Sequence, residues 1–337
     1  MAAISASIER VANESNFSGV VRIALSGSLL FEGVWGLADR AHKIPNSIET
    51  QFGIASAVKG FTALAVMSLV TDGALTLGSS VRDILGDELK DIDPAVTVGH
   101  LLSHTSGIGD YLDEGTVSDV SDYVMPVPVH ELATTKDYLA ALRGHPMKFT
   151  PGERFEYCNG GYVVLALVIE AVTGSTFHEV VAERVFVPAG MSSTAFLRMD
   201  ELPGAAALGY LATDGLRTNQ LHLPVRGSGD GGAYSTIDDL SRFWAALFTD
   251  KILPAAVVTE MTRPRHDVPT ESKRYGLGFW LRQDRPTVML EGYDAGVSFR
   301  SAYDPGSEFL YTVISNTSDG AWPLVKQLDE RLPDLVA

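Results

Sequence analysis

Strand-like runs stand at the two ends of this chain, and a long stretch between them reads mainly as helices and loops. Near the start, "FSGVVRIALSGSLLFEGVWGLAD" (residues 17–39) holds two β-rich runs separated by Ser26-Gly27-Ser28, the signature of a hairpin. After Gly227 and the helix-like "IDDLSRFWAALF", the alternation returns in "YGLGFWLRQ", "TVMLEGY", "VSFRSAYDP" and "FLYTVISNT". Sheet edges are costly to leave unpaired, so strands this far apart in sequence are expected to meet. The expected fold class is therefore α/β of the α+β type. An antiparallel sheet is built from the N- and C-terminal segments and flanked by helices, with a mostly helical lobe inserted. One domain, 1–337, is expected, with residues 1–80 and 227–337 in the α/β lobe and 81–226 in the helical one.

Immediately after the first strands comes "FGIASAVKGFTALAVMSLVTDG", which predicts a nearly all-apolar helix from about Ser56 to Val70, stopped by Asp72-Gly73. A helix apolar all round belongs in the centre of a protein. Its first turn carries Ser56-Ala57-Val58-Lys59, a hydroxyl and an amine three residues apart and hence on one helix face. Serine becomes a nucleophile only when something takes its proton, and a buried lysine whose ammonium is disfavoured can do so. The same residues also suit a serine that caps a helix and a lysine that reaches out to water. The spacing alone is common.

The second feature is Tyr157-Cys158-Asn159, in "PGERFEYCNGGYVVLALVIEAVTG" ahead of another long apolar helix. A phenol close to an ammonium can act as base and then acid. An asparagine beside it can hold a lysine or a substrate carbonyl. The plainer alternative is a loop tyrosine and a capping asparagine. Upstream, "GDYLDEGTVSDVSDYVMPVPV" has five acidic residues and no Lys or Arg, the composition of a solvated loop or of a rim over a site.

Forty-two acidic against 26 basic residues leave a formal charge of −16, which opposes binding to nucleic acid or anionic membrane. The single cysteine, Cys158, excludes an internal disulfide framework and cysteine-rich metal sites, and it reads as a small buried filler. "MAAISASIERVANES" reads as an amphipathic helix rather than a secretory signal, and no apolar run is long enough to span a bilayer. These features predict a cytoplasmic chain. His100 and His104 lie at helical spacing but lack the glutamate and third ligand of a zinc site. A lone histidine such as His104 is most simply a satisfied buried imidazole. "GSGDGG" is not followed by the Lys-Ser/Thr of a phosphate loop.

Taken together, these segments resemble the serine β-lactamase-like family: class C β-lactamases, D-Ala-D-Ala carboxypeptidases, β-lactamase-fold esterases, D-amino-acid amidases and related transacylases. "FGIASAVKGFTALAV" resembles the family's Ser-x-x-Lys helix, "VTVGHLLSHTSGIGDY" its hallmark helix and turn, and "PGERFEYCNGGYVVLALVIEAVTG" its Tyr-x-Asn segment. "GDGGAYSTIDDLSRFWAAL" and "YGLGFW" resemble later landmarks, in the same order. The resemblance implies a β-lactamase/transpeptidase-like fold, with Ser56 as the acylated nucleophile, Lys59 as its activating partner and Tyr157 as general acid/base. It implies Asn159 as a site residue and requires no metal or cofactor.

The departure comes at the third motif, where the family usually has Lys-Thr-Gly, His-x-Gly or Trp-x-Gly and this chain has "MLEGYDAGVSFRSAYDP". The simplest alignment makes Tyr293-Asp294-Ala295 the triplet and gives Gly296 the second oxyanion N–H; a one-residue slip or a short deletion is the alternative. The cation that would hold a β-lactam or peptide carboxylate is missing, and Asp294 would repel one. A small-molecule ester or amide, hydrolysed or used for acyl transfer, is thus expected ahead of β-lactamase or carboxypeptidase activity. A non-catalytic binding protein that retains the fold is the alternative of another class.

Overall fold

The computed structural model describes residues 2–113, 115 and 119–335. Its centre is an eight-stranded antiparallel sheet. In spatial order the strands are Ser28–Trp35, Gly19–Leu25, Phe309–Ser315, Val297–Asp304, Val288–Asp294, Trp280–Arg282, Lys273–Tyr275 and His266–Val268. The N-terminal hairpin therefore joins the C-terminal strands directly, with Gly19 opposite Ser315 and Leu25 opposite Phe309. Ser26 and Gly27 turn that hairpin with φ of 47° and 75°, the left-handed pair that a tight two-residue turn requires.

Both faces of the central strands are covered, which is why Phe309–Ser315 is buried along its whole length. Alternate residues serve opposite faces. Val21, Ile23, Tyr311 and Val313 pack under the terminal helices Ala2–Glu14 and Trp322–Leu335 through Ile8, Leu324 and Leu328. Val20, Leu310 and Ile314 join the larger core on the other side, with Phe61, Leu64, Phe243 and Trp244. That core also takes in the helices Val58–Thr71, Asn159–Thr173 and Ile237–Leu247.

The all-apolar helix runs Val58–Thr71 behind a short 3₁₀ turn, Ala55–Ala57, and every residue from Val58 to Leu69 is buried. It crosses the sheet at close range because Gly60 lacks a side chain; a Cβ there would lie 2.4 Å from Leu290 Cδ2. This approach sets the start of the helix against the edge of the Val288–Asp294 strand. Among the described residues no single helix is long and apolar enough to cross a membrane.

Candidate active site

Ser56 lies in the 3₁₀ turn Ala55–Ala57, ahead of the α-helix that begins at Val58. The turn is held from both sides. Ile54 N donates to Ala233 O at 3.0 Å, and Ala55 adopts φ 43°, an uncommon conformation for a residue with a Cβ. On the other side Gly292 lies so near Ile54 O that a Cβ would stand 2.1 Å from it. Gly292→Ala should therefore push the nucleophile turn away from the strand. A kcat/KM loss of about 100-fold is expected, with about 1–3 kcal/mol of destabilisation in chemical denaturation. Unchanged turnover would show that this contact does not position Ser56.

Lys59 is 2% exposed, and its Nζ lies 2.9 Å from Ser56 Oγ, 2.8 Å from Asn159 Oδ1 and 2.7 Å from Asp230 O. The chemistry of these three neighbours differs. Asn159 Oδ1 and the Asp230 carbonyl can only accept, and Asn159 is fixed in that orientation because its Nδ2 donates to Leu112 O at 3.1 Å. The Ser56 hydroxyl can both accept and donate. An ammonium satisfies all three. A neutral amine would give its two N–H groups to the two carbonyl oxygens and turn its lone pair to Ser56, the geometry in which it can take the serine proton.

Tyr157 borders the same groove as Ser56, with its ring 4.9 Å from Lys59 Nζ. It is clamped between His104, at 4.4 Å between ring centroids, and Trp280, nearly parallel at 5.9 Å. His104 accepts from Cys158 N on Nδ1 at 3.1 Å, so the other ring nitrogen carries the proton, 3.2 Å from Tyr275 OH. Burial, with the Lys59 and His266 charges adding to it, holds His104 well below the usual histidine range, so the imidazole is neutral. Cys158 faces away from the groove: its Sγ accepts from Gly161 N at 3.3 Å and caps the Asn159–Thr173 helix. Burial pushes its thiol well above the usual range.

A second buried histidine supports the same region. His178 Nε2 donates to Gly227 O at 2.8 Å, at the root of the loop that carries Asp230, and burial lowers its pKa to about 4. Both histidines stay neutral in the folded protein while the unfolded chain protonates them below about pH 6.5, so acidification removes stability. Asp110 acts in the opposite sense, because burial raises its carboxyl to about 6 and the folded state then holds the extra proton. Of the groups shifted furthest, two against one leave a net loss of roughly 2–3 kcal/mol between pH 7 and pH 5, trimmed by the smaller upward shift that burial gives Asp230. Urea denaturation at the two pH values checks this. His178→Gln, which keeps a donor for Gly227 O, should remove most of the loss, about three quarters of it. Equal or greater stability at pH 5 would contradict it.

Two positions in the site have no counterpart among the expected residues. Asp110 binds the start of the Asn159–Thr173 helix, accepting from Asn159 N at 2.6 Å and Gly160 N at 2.8 Å, and so aims Asn159 at Lys59. Asp230 supplies a backbone oxygen to Lys59 and takes the Tyr111 hydroxyl on its carboxylate. The only signal for Asp230 was the glycine run around it. That run allows backbone against backbone: a Cβ on Gly229 would stand 2.1 Å from Tyr162 O. The acidic loop forms part of the rim, with Leu112, Val120 and Tyr123 along the groove; its Glu114 and residues 116–118 lie outside the described residues.

The third motif needs one correction. Gly296 does not present its N–H to the nucleophile, because that amide donates to Ser318 Oγ at 2.8 Å within the turn of a hairpin. The closing pair of this hairpin is Asp294–Val297, and Gly292 pairs with Phe299. In a two-residue hairpin the closing pair exchanges its hydrogen bonds, so the next residue back points its N–H and C=O to the strand's other edge. That residue is Tyr293. The other edge is covered by Trp280–Arg282 only as far as Met289, and beyond it lies the nucleophile turn. The Tyr293 amide is thus directed where the first-turn amide of Ser56 also points outward. The Tyr293 ring is 41% exposed and contacts Trp322. Asp294 and Glu291 both line the groove, and Glu291 is ion-paired there with Lys273 at 2.7 Å and with Arg300.

Two spaces meet here. An open groove of about 880 Å³ runs past Ser56, Tyr157, Trp280 and Tyr293. A smaller cavity of about 70 Å³ lies beyond Ala55 and Gly231 and shares Leu112, Tyr123, His222 and Asp294 with the groove.

The family described as "Beta-lactamase" matches residues 6–332. A crystal structure of a penicillin binding protein from Bacillus halodurans superposes with a TM-score of 0.88 at 37% identity, covering 96% of this chain and 99% of that one. Penicillin-binding protein 4* of Bacillus subtilis is 30% identical over 294 residues, 82% of this chain but 62% of its own length. Esterase EstB of Burkholderia gladioli is 29% identical over 321 residues, 82% of this chain and 78% of that protein.

Proposed function

The chain belongs to the beta-lactamase family, within the serine hydrolases of that fold, and from this premise we propose that it forms an acyl-enzyme at Ser56 with small esters or amides. The observation that carries the proposal is the contact of Lys59 Nζ with Ser56 Oγ, made alongside contacts to two carbonyl oxygens. Ser56 Oγ bonds to the substrate carbonyl carbon as its proton passes to Lys59. The carbonyl π pair becomes an oxyanion facing the amides of Ser56 and Tyr293. Collapse breaks the bond to the leaving group, which takes a proton from Tyr157 and leaves it a phenolate beside the Lys59 ammonium. Water, or another hydroxyl or amine, then attacks the acyl carbon with Tyr157 as base, and Ser56 leaves with its proton restored. Asn159 keeps Lys59 in place throughout.

Esters and amides are proposed ahead of β-lactams and D-alanyl peptides. No lysine or histidine stands in the Leu290–Asp294 segment, the groove's Lys273 and Arg300 are ion-paired with Glu291, and Asp294 adds a further carboxylate against a carboxylate-bearing substrate. One relative is an esterase by name, others are penicillin-binding proteins. A panel of p-nitrophenyl esters, nitrocefin and D-alanyl peptides decides the order. Ester kcat/KM at least about tenfold above that for nitrocefin is expected, since a misplaced charge costs on the order of 1.4 kcal/mol or more. Faster nitrocefin turnover would reverse the ranking.

A further inference from the structure

The small cavity beside the nucleophile has walls of an unusual kind. Tyr111, Tyr123, Tyr138 and Tyr234 line it, together with the carboxylate residues Asp230 and Asp294. The tyrosine hydroxyls are engaged elsewhere: Tyr111 donates to Asp230 Oδ2, Tyr123 to Tyr111 O, Tyr138 to Arg226 O at 2.7 Å and Tyr234 to Met199 Sδ at 2.9 Å. What they offer a guest is ring surface. No lysine or arginine is among the described residues that line the cavity, and its histidine, His222, is held below the usual range by burial and by Arg217. The local potential is negative enough that burial, reinforced by Asp110, Asp230 and Asp294, raises the Tyr123 phenol to about 12. Aromatic faces around a space closed by carboxylates are what a cation seeks, because the rings' negative faces and the carboxylates attract it together.

The position of the cavity says which half of a substrate would enter it. A leaving group must lie beside the acid that protonates it. Tyr157 borders the open groove but not the small cavity, so the leaving group belongs in the groove and the acyl part turns inward past Ala55 and Gly231. We propose that the preferred substrates carry a positively charged head group, an ammonium or methylated ammonium, on the acyl side, seated among Tyr111, Tyr123 and Tyr138 and facing Asp230 and Asp294. This rests on the acyl-enzyme reading above and narrows it to a substrate class. A cavity of about 70 Å³ has room for a group of a few heavy atoms.

The test compares two p-nitrophenyl esters of equal shape. One is the γ-trimethylammoniobutyrate ester; in the other a tert-butyl group replaces the trimethylammonium. Each kcat/KM is divided by that ester's own hydroxide-catalysed rate. The cationic ester is expected to be favoured about tenfold, the size of a desolvated cation–π and charge contact. That ratio should fall as salt is raised and should shrink severalfold in Asp294→Asn and Tyr123→Leu, each ratio being read within one variant. A ratio of one or less, with Ser56-dependent turnover of the neutral ester, would overturn the cation site and leave the hydrolase standing. A preference unchanged in both variants would overturn it as well. Turnover of neither ester would remove the hydrolase reading and this inference together.

Discussion

Ser56→Ala should reduce kcat toward every acyl substrate by about 10⁴-fold or more while leaving the fold intact. The magnitude follows from the role. Without the hydroxyl no acyl-enzyme can form, and only oxyanion donors and substrate binding remain to assist water. The fold should tolerate the change because the turn is set by backbone and packing: Ile54 N bonds Ala233 O, and Gly292 backs against Ile54 O. The variant loses one neighbour of Lys59, which keeps Asn159 Oδ1 and Asp230 O. A destabilisation of about 1 kcal/mol is expected, the usual worth of a single hydrogen bond. Steady-state ester kinetics and thermal unfolding of the same preparation separate the two effects. A well-folded variant with activity within tenfold of the parent would move the nucleophile elsewhere.

Lys59→Met should cost about 10³-fold or more in kcat, with the loss confined to acylation. Methionine nearly matches the volume of the lysine stem, so the core around Val58, Phe61 and Leu64 is kept. Its thioether cannot donate, however, and Asn159 Oδ1 and Asp230 O each lose a donor in a buried place. About 1–3 kcal/mol per orphaned acceptor works against the relief of no longer burying an amine. A stability change of a few kcal/mol in either direction is compatible with that balance, whereas the kinetic loss is one-sided. Burst kinetics are the discriminating measurement: the parent should release product in a fast first turnover, and Lys59→Met should show no burst. A normal burst would mean that another group, with Tyr157 the first candidate, takes the serine proton.

Features with a local physical cause were legible in the sequence. The Ser26-Gly27 turn, the all-apolar Val58–Thr71 helix and the Ser56/Lys59 pair each follow from chain neighbours, and each is where the residues place it. The meeting of the N-terminal hairpin with Phe309–Ser315 also followed, because strand-like runs at both termini have no better partner. The short edge strands His266–Val268 and Lys273–Tyr275 were less legible: three residues of mixed character carry no periodicity. The third motif failed on register. In a strand, a shift of one residue exchanges the two faces and the two edges, so the sequence could not say whether Gly292 or Gly296 stood beside the nucleophile. Only the pairing of Asp294 with Val297 settles which amides point outward. Asp230 stayed hidden for another reason. It holds Lys59 with a backbone carbonyl, a group every residue has, and only the fold brings it within 2.7 Å.

The central claim is that Ser56 is a nucleophile activated in place, rather than a helix-start serine in a protein that keeps the fold for binding alone. Intact-mass analysis after incubation with a fluorophosphonate tests it most directly, because the reagent bonds only to a serine that already attacks. The account predicts a single phosphonyl adduct on the native protein, mapped to the peptide containing Ser56, with none on Ser56→Ala and little on Lys59→Met. An unlabelled native protein, or an adduct that persists in Ser56→Ala, would contradict it.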